Sequence, residues 1–543
     1  MSACFLGVDV GTGSARAGVF DAAGRMLGTA KHDIRTWREA GDIVEQSSDD
    51  IWAAVASSVR EAVKAAGVQP SEIAGIGFDA TCSLVVLGAG GRPLPVGPSG
   101  DAARNIIVWM DHRATEQAER INKIGGGVLN YVGGVISPEM ETPKLLWLAE
   151  NLPATFHGAW QFFDLADYLT WRATGSLARS VCTVTCKWTY LAHESRWDAS
   201  YFRAVGLGAL ADEGFRRIGE VVVPGGTALA QGLTSQAAAE LGLPAGVPVG
   251  AGLIDAHAGG VGTVGARGAD ASVETRMAYV FGTSACTMTT TRAPVFVRGV
   301  WGPYFSAMAP GLWLLEGGQS AAGAAIDQLV RMHPASAQAA RHAEAAGVSL
   351  SEWLSREARA LGAPSAMAAL VGDIRVVPEF LGNRAPFADP QARAIISGLS
   401  LNDDLKGLIG LYLAGLAGIG YGARQILRAQ GAEGVRTDTI VVSGGAGRDP
   451  LVRQILADCT GATVAATTAP DPVLLGSAML GAVACGRYAD LEQAMREMSE
   501  IGETYSPQAE LLPWYAACFK AFERLQQVDR EIRATVRSLG PIQ

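Results

Sequence analysis

Two aspartates stand where a carboxylate is expensive, and each is tied to a glycine turn. Asp9 closes the apolar segment FLGVDV and is followed by Gly11-Thr12-Gly13-Ser14. Asp255 lies in GLIDAHAGG, among neighbours too small to pack around a charge. An unpaired buried carboxylate is strongly disfavoured, so each is expected to face a cleft, a metal ion or a substrate hydroxyl. Glycines permit positive φ and close backbone approach, so successive N–H groups can converge on an anion. Thr12 and Ser14 add hydroxyl donors. Gly282-Thr283-Ser284 is a second such turn, and Gly444-Gly445-Ala446-Gly447 is a third, ahead of a helical segment. The third suits a purine or phosphate lying against bare backbone. Taken singly, such a turn is an ordinary hairpin and such an aspartate a helix cap. Two aspartates, each with its turn, point to chemistry. No GxxxxGK[ST] motif occurs and no GxGxxG opens the chain, so a nucleotide bound here would use neither common loop.

The elements that must position these residues follow from periodicity. FLGVDV, the turn and AGVF read as strand, turn, strand. A helix is expected over Ser48–Ala66, where Trp52, Val55, Val59 and Val63 share one face. Pro70-Ser71 breaks it, and IAGIGFDA is a short buried strand. VPVGAGLIDAHAGGVGTVGA is a strand entering a small-residue helix, and AYVFGTSACTMTTT is again strand, turn, strand. TIVVSGGAGRDP runs from a strand into a glycine turn, and LLGSAMLGAV is a tightly packed helix. Alternating strands and helices make the chain α/β. The weak repeat of strand, Gly-Thr turn and strand implies two related halves with a boundary near 265–275. The expected domains are 1–266 and 267–543, the second ending in a helix over 505–540.

Composition narrows the classes. The chain has 543 residues, 67 of them glycine, with 49% hydrophobic and 18% charged residues, which excludes disorder and collagen-like repeats. A formal net charge of −9 without a clustered basic face argues against nucleic acid as a partner. Cys182 and Cys186, with His193 nearby, hint at zinc, but no second pair at ligand spacing accompanies them, so reduced thiols are expected. The N-terminus has no signal-peptide pattern. The uncharged stretch Gly407–Ala423 is glycine-rich and reads as a buried helix, not a membrane span. A soluble, cytoplasmic protein is expected.

LGVDVGTGSAR (6–16), GLIDAHAGG (252–260), FGTSA (281–285), FLGNRAPFADPQARAIISGL (380–399) and VSGGAGRDPL (442–451) resemble the motifs of the FGGY family of sugar kinases, in that family's order and over roughly 5–490. The resemblance implies two ribonuclease-H-like (actin-like) domains closing on a central catalytic cleft. It also implies ATP-dependent phosphorylation of a sugar or polyol hydroxyl with Mg²⁺, the first domain binding sugar and the second nucleotide. Carried over, Asp255 matches the catalytic base, and Asp9 matches the acid that holds Mg²⁺, with Asp255 beside it. Gly11, Thr12, Gly13 and Ser14, with Gly282 and Thr283, match the phosphate cradle. Gly444, Gly445 and Ala446 match the adenine-side loop. Phosphoryl transfer needs positioning and charge neutralisation more than covalent help, and an aspartate near ~3.9 is already ionised at neutral pH.

Substrate choice is expected in the first domain. Thr81-Cys82-Ser83-Leu84-Val85 resembles the D-ribulose kinase branch, with hydroxyls to bond a sugar and a small thiol leaving room for a carbon chain. Asp111 and His112, in VWMDHRA, match a family segment in which the acid accepts from a sugar hydroxyl. Glu139 falls near a substrate-touching position, with Glu141 as rival. Glu316 is expected on the nucleotide side, and Arg384 and Asp389 as domain-packing residues. The reading is a D-ribulose 5-phosphotransferase. The same chemistry on L-ribulose, ribitol or D-xylulose is the alternative, and a sugar- or nucleotide-sensing regulator is the alternative from another class. Sugar and ATP are the expected partners, with a homodimer open.

Overall fold

The residues on either side of Gly11–Ser14 form a hairpin of strands β1 (Cys4–Val10) and β2 (Ser14–Phe20), in which Asp9 stands opposite Arg16. This computed structural model describes residues 3–39, 42–268, 272–362 and 364–537. β3 (Met26–Asp33) pairs with β2, β4 (Ile73–Ala80) runs parallel to β1, and β5 (Leu253–Ile254) runs parallel to β4. The strand order is β5-β4-β1-β2-β3. In this register Asp79 lies between Asp9 and Leu253, so Asp9, Asp79 and Asp255 gather at the carboxyl ends of three parallel strands. Open α/β sheets bind their ligands outside that edge.

A second sheet repeats the plan. β6 (Arg276–Phe281) and β7 (Ala285–Thr291) form a hairpin around Gly282–Ser284. β8 (Trp301–Phe305), β9 (Trp313–Gln319), β10 (Thr439–Ser443), β11 (Thr463–Thr467) and β12 (Ile501–Tyr505) complete the order β8-β9-β7-β6-β10-β11-β12. β10 runs parallel to β6, as β4 does to β1.

Helices fasten the two sheets together. α1 (Ser48–Ala66) is capped by Ser47 and ends at Gly67 in the left-handed conformation; it covers the outer hairpin of the first sheet. α2 (Val181–Lys187) leads towards the cleft, and α3 (Asp255–Val264) starts at the catalytic candidate. α4 (Leu405–Ala432) is long and apolar enough to cross a membrane, but 78% of its most apolar window is buried among other elements. α5 (Pro472–Ala484) follows β11 of the second sheet yet lies on β1 and β4 of the first, while α3 follows β5 of the first sheet and lies on β6 of the second. The exchange brings α3 and α5 face to face with almost no side-chain spacing. A Cβ on Gly262 would stand 1.9 Å from the Pro472 carbonyl oxygen, and one on Gly476 1.9 Å from that of Ala258. The small-residue composition of both segments is therefore a packing requirement.

The loop carrying Thr81–Ser83 joins β4 to a strand over Leu84–Gly88 in a smaller sheet with Thr36–Arg38, Val44–Gln46, Ile106–Ile107 and Ala159–Asp164. The last helix, α6 (Leu512–Arg537), starts later than the sequence suggests, because Ile501–Tyr505 pairs with β11 instead. Residues 538–540 of the expected helix lie outside the described residues. Phe519 and Phe522 pack on Tyr421 of α4, with ring centroids 5.9 and 5.6 Å away.

Candidate active site

The first two glycine turns face each other across a cavity of about 850 Å³ between the sheets, and Gly444 and Gly445 reach the same space. A second cavity of about 780 Å³ continues from it into the second half. It shares Gly282, Thr283, Gly445 and Arg448, and adds Ala446, Ile326, Tyr412 and Leu416. A Cβ on Gly13 or Gly445 would meet no atom within 4 Å, so packing demands glycine at neither position. The room that remains fits a ligand pressed against backbone. Thr12 is held in place by the Trp109 indole, whose Nε1 donates to its Oγ1 at 2.9 Å.

Three carboxylates meet at the edge of the first sheet. Asp9 is 2% exposed and accepts from the Arg16 guanidinium, which also pairs with Asp471 of the second half. Asp79 is fully buried; Ser477 donates to its Oδ2, while no hydrogen-bond donor reaches its Oδ1 among the described residues. Burial, then the charge of Asp9, pushes Asp79 well above the usual carboxylate range. The same two causes, in the same order, raise Asp255 to about 6. That corrects the expectation of an unshifted aspartate. Mutual repulsion and an orphaned carboxylate oxygen are what a divalent cation relieves, and the all-oxygen donor set suits Mg²⁺.

At the other end of the cavity charges from both halves interleave. Lys187, at the end of α2, lies 3.8 Å from Glu316 of β9 and 4.5 Å from the Trp301 ring centroid. Arg384 lies 3.8 Å from Glu139 and stacks over Trp301 at 5.5 Å. His112 Nε2 approaches Glu139 at 3.8 Å. Burial raises both glutamates, but the cations outweigh it. Arg384 and His112 hold Glu139 at about 2; Lys187, His257 and Arg384 hold Glu316 at about 2. Both carboxylates are therefore ionised and can only accept hydrogen bonds.

Of the residues singled out from sequence, Asp9, Gly11–Ser14, Thr81, Cys82, Glu139, Asp255, Gly282, Thr283, Gly444 and Gly445 line this cavity, and Ala446 lines its extension. Ser83 stands behind it, accepting from the Trp109 backbone N–H at 3.1 Å and sharing a hydrogen bond with Thr81. Asp111 is not brought to the cavity. It is fully buried and accepts from Arg113 and from the Val44 N–H at 2.6 Å, which leaves it no reach to a sugar. His112 is set back behind Glu139. Glu141, the rival of Glu139, is buried against Lys144 at 3.4 Å.

Glu316 sits with Lys187 in the same cavity as the glycine turns, and Arg384, which joins the two halves through Glu139, lines that cavity as well. Asp389 does pack, through a 2.6 Å ion pair with Arg533 of α6. Lys187 escaped notice altogether. Its signal was a lone charge in the otherwise uncharged run VCTVTCKWTYL.

Two lobes of related topology, linked by exchanged helices and closing on an anion-binding cleft with carboxylates, define the actin-like class of phosphotransferase folds. Solved structures agree on the fold: a xylulose kinase from Rhodospirillum rubrum aligns with a TM-score of 0.77 at 21% identity, covering 97% of this chain and 99% of that one. Residues 4–262 match the N-terminal domain, and 277–485 the C-terminal domain, of the FGGY family of carbohydrate kinases. The human FGGY carbohydrate kinase domain-containing protein is 44% identical over 538 residues, 98% of this chain and 97% of its own. A D-ribulokinase of Saccharomyces cerevisiae is 40% identical over 511 residues, 88% of this chain and 72% of its own. The chain belongs to the FGGY family of carbohydrate kinases.

Proposed function

We propose that this carbohydrate kinase transfers the γ-phosphoryl group of ATP to the C5 hydroxyl of D-ribulose. The observation that carries the reading is the position of Asp255. Its carboxylate lines the cavity between the two glycine turns and the Lys187, Glu316, Glu139 and Arg384 cluster. Phosphates belong at Gly11–Ser14 and Gly282-Thr283, and the adenosine in the extension lined by Ala446. The sugar belongs at the charged end, with Thr81 and Cys82 against its carbon chain. Asp255 orients the hydroxyl and takes its proton as the new O–P bond forms and the bond to the leaving ADP oxygen breaks. Asp9, with Asp255 beside it, would hold Mg²⁺, which would supply charge neutralisation for the transferred phosphoryl group. Arg16 fixes Asp9 for that role and ties it to Asp471 of the other half.

D-ribulose is favoured over other pentuloses by the loop Thr81–Val85 and by the 40% identity to a D-ribulokinase. The test is the product. Proton–phosphorus correlation spectroscopy of the reaction with D-ribulose is expected to couple the new phosphate to the C5 methylene protons. Coupling to the C1 protons, or no product from D-ribulose while another pentulose reacts, overturns the assignment.

A further inference from the structure

Behind Asp255 and Lys187, away from the cavity, three soft donors converge. Cys182 and Cys186 lie four residues apart on α2, so their thiols share one helix face. His257, in the first turn of α3, turns its Nδ1 to within 3.1 Å of Cys182 Sγ. The two sulfurs and a ring nitrogen all lie within 4.8 Å of one another, and all three residues are fully buried.

The surroundings are arranged as they are around a thiolate and imidazole site. The Ile254 N–H donates to Cys182 Sγ at 3.4 Å. His257 Nε2 faces Glu316 Oε2 at 3.5 Å, and Lys187 Nζ approaches the same oxygen at 3.8 Å. A ring nitrogen on a metal with the other aimed at a carboxylate is the usual second layer of such sites. A disulfide is the competing use of two cysteines, and the helix disfavours it. Residues i and i+4 hold their Cβ atoms about 5–6 Å apart, whereas a disulfide needs about 3.5–4.5 Å. Two thiolates each ~2.3 Å from one ion span the wider gap.

We propose that Cys182, Cys186 and His257 Nδ1 bind one zinc ion, which fastens α2 to α3 behind the catalytic centre. Sulfur and imidazole donors select zinc over the Mg²⁺ or Ca²⁺ that oxygen donors prefer. The protein supplies three ligands, and a water completes the tetrahedron. The ion tethers the segment ending in Lys187 to the helix beginning at Asp255, so it holds two groups of the cleft at a fixed spacing. It stands apart from the three aspartates and takes no part in phosphoryl transfer.

The test uses the whole protein, purified with its thiols reduced, stripped with a chelator and titrated with Zn²⁺ and, separately, Co²⁺. One zinc per chain is expected by elemental analysis, with two sulfur and one imidazole ligand in the X-ray absorption spectrum. Co²⁺ should give a sulfur-to-cobalt charge-transfer band, and zinc should raise the melting temperature. Cys186→Ser, whose fold is checked by circular dichroism, should weaken the band and bind zinc at least about tenfold more weakly. Cys182→Ser should do the same. A wild-type chain that takes up neither metal overturns the site, as does a Cys186→Ser variant that binds with unchanged affinity. Because the readout is metal content and spectrum, this outcome is separate from whether D-ribulose is the substrate.

Discussion

Lys187 and Glu316 meet at 3.8 Å, one from each half of the molecule, and both are buried in the wall of the cleft. The pair can form only when α2 of the first half and β9 of the second are in place, so it couples the assembled fold to the substrate pocket. Removing one member of a buried pair leaves an uncompensated charge, at a cost of about 3–5 kcal/mol. Lys187→Met is expected to lower the melting temperature and raise the sugar KM at least tenfold while leaving the ATP KM close to wild type. Lys187→Met with Glu316→Gln should recover much of the stability and none of the turnover. Equal losses of sugar and ATP affinity would take the pair out of the sugar pocket. Thermal unfolding and initial rates give both readouts.

Glycines of two kinds lie within a short distance of the catalytic centre. Gly13 faces open space, whereas Gly262 abuts the Pro472 carbonyl. Gly13→Val should raise the ATP KM far more than the sugar KM and shift the melting temperature little. Gly262→Ala should do the reverse, destabilising the chain with the affinity of the surviving folded fraction unchanged. If Gly13→Val weakens sugar more than ATP, the first turn is not the phosphate cradle.

Asp111 offers a separate test, because the sequence reading and the structure give it different work. With its oxygens engaged by Arg113 and the Val44 N–H, Asp111→Asn should cost about 3–5 kcal/mol of stability by breaking a buried ion pair. Below its melting point the variant should keep a near-normal sugar KM. A raised KM with normal stability would return Asp111 to the binding site.

Asp255 titrates within an accessible range. Burial and the neighbouring Asp9 raise it to about 6, and a general base must be ionised to accept a proton. At neutral pH it is mostly charged; as pH falls through 6 it is progressively protonated. In the metal-free protein the Asp255 carboxyl carbon resonance should titrate near pH 6. Asp9→Asn removes the repulsion that helps to raise it, so the midpoint should move to lower pH, and Mg²⁺ should lower it as well. A metal-free midpoint near ~4 that Asp9→Asn leaves in place would contradict the coupling of the two aspartates.

What could be read from sequence was whatever is local. The turns Gly11–Ser14 and Gly282–Ser284 each lie between two adjacent strands, and Asp9 sits in a strand that forms the first, so their neighbourhoods are fixed by a few residues; Asp255 stood out through the small residues on either side of it. The small-residue runs around Gly262 and Gly476 showed tight helices, though not that the helices exchange between sheets. Lys187, Glu316 and Arg384 could not be joined by spacing, since they come from segments 68 to 197 residues apart and converge only through the closed fold. Arg384 was read as packing the domains, and its pairing with Glu139 across the halves agrees; its place in the cavity wall shows only in the folded chain. Asp79 was passed over as part of an apolar strand; its role follows from the register that sets it beside Asp9. Cys182 and Cys186 were expected to be reduced thiols, with His193 the histidine nearest in sequence; the fold sets His257 beside them instead.

The account turns on Asp255 acting as base in a D-ribulose kinase. The most direct test is Mg²⁺- and ATP-dependent ADP release across D-ribulose, L-ribulose, D-xylulose, ribitol and glycerol, run with wild type and Asp255→Asn, alongside ATP binding to both. The predicted result is a strong preference for D-ribulose, with turnover reduced by orders of magnitude in Asp255→Asn and ATP affinity nearly unchanged. Comparable turnover in the variant, or a wild-type preference for another sugar on that panel, would contradict it.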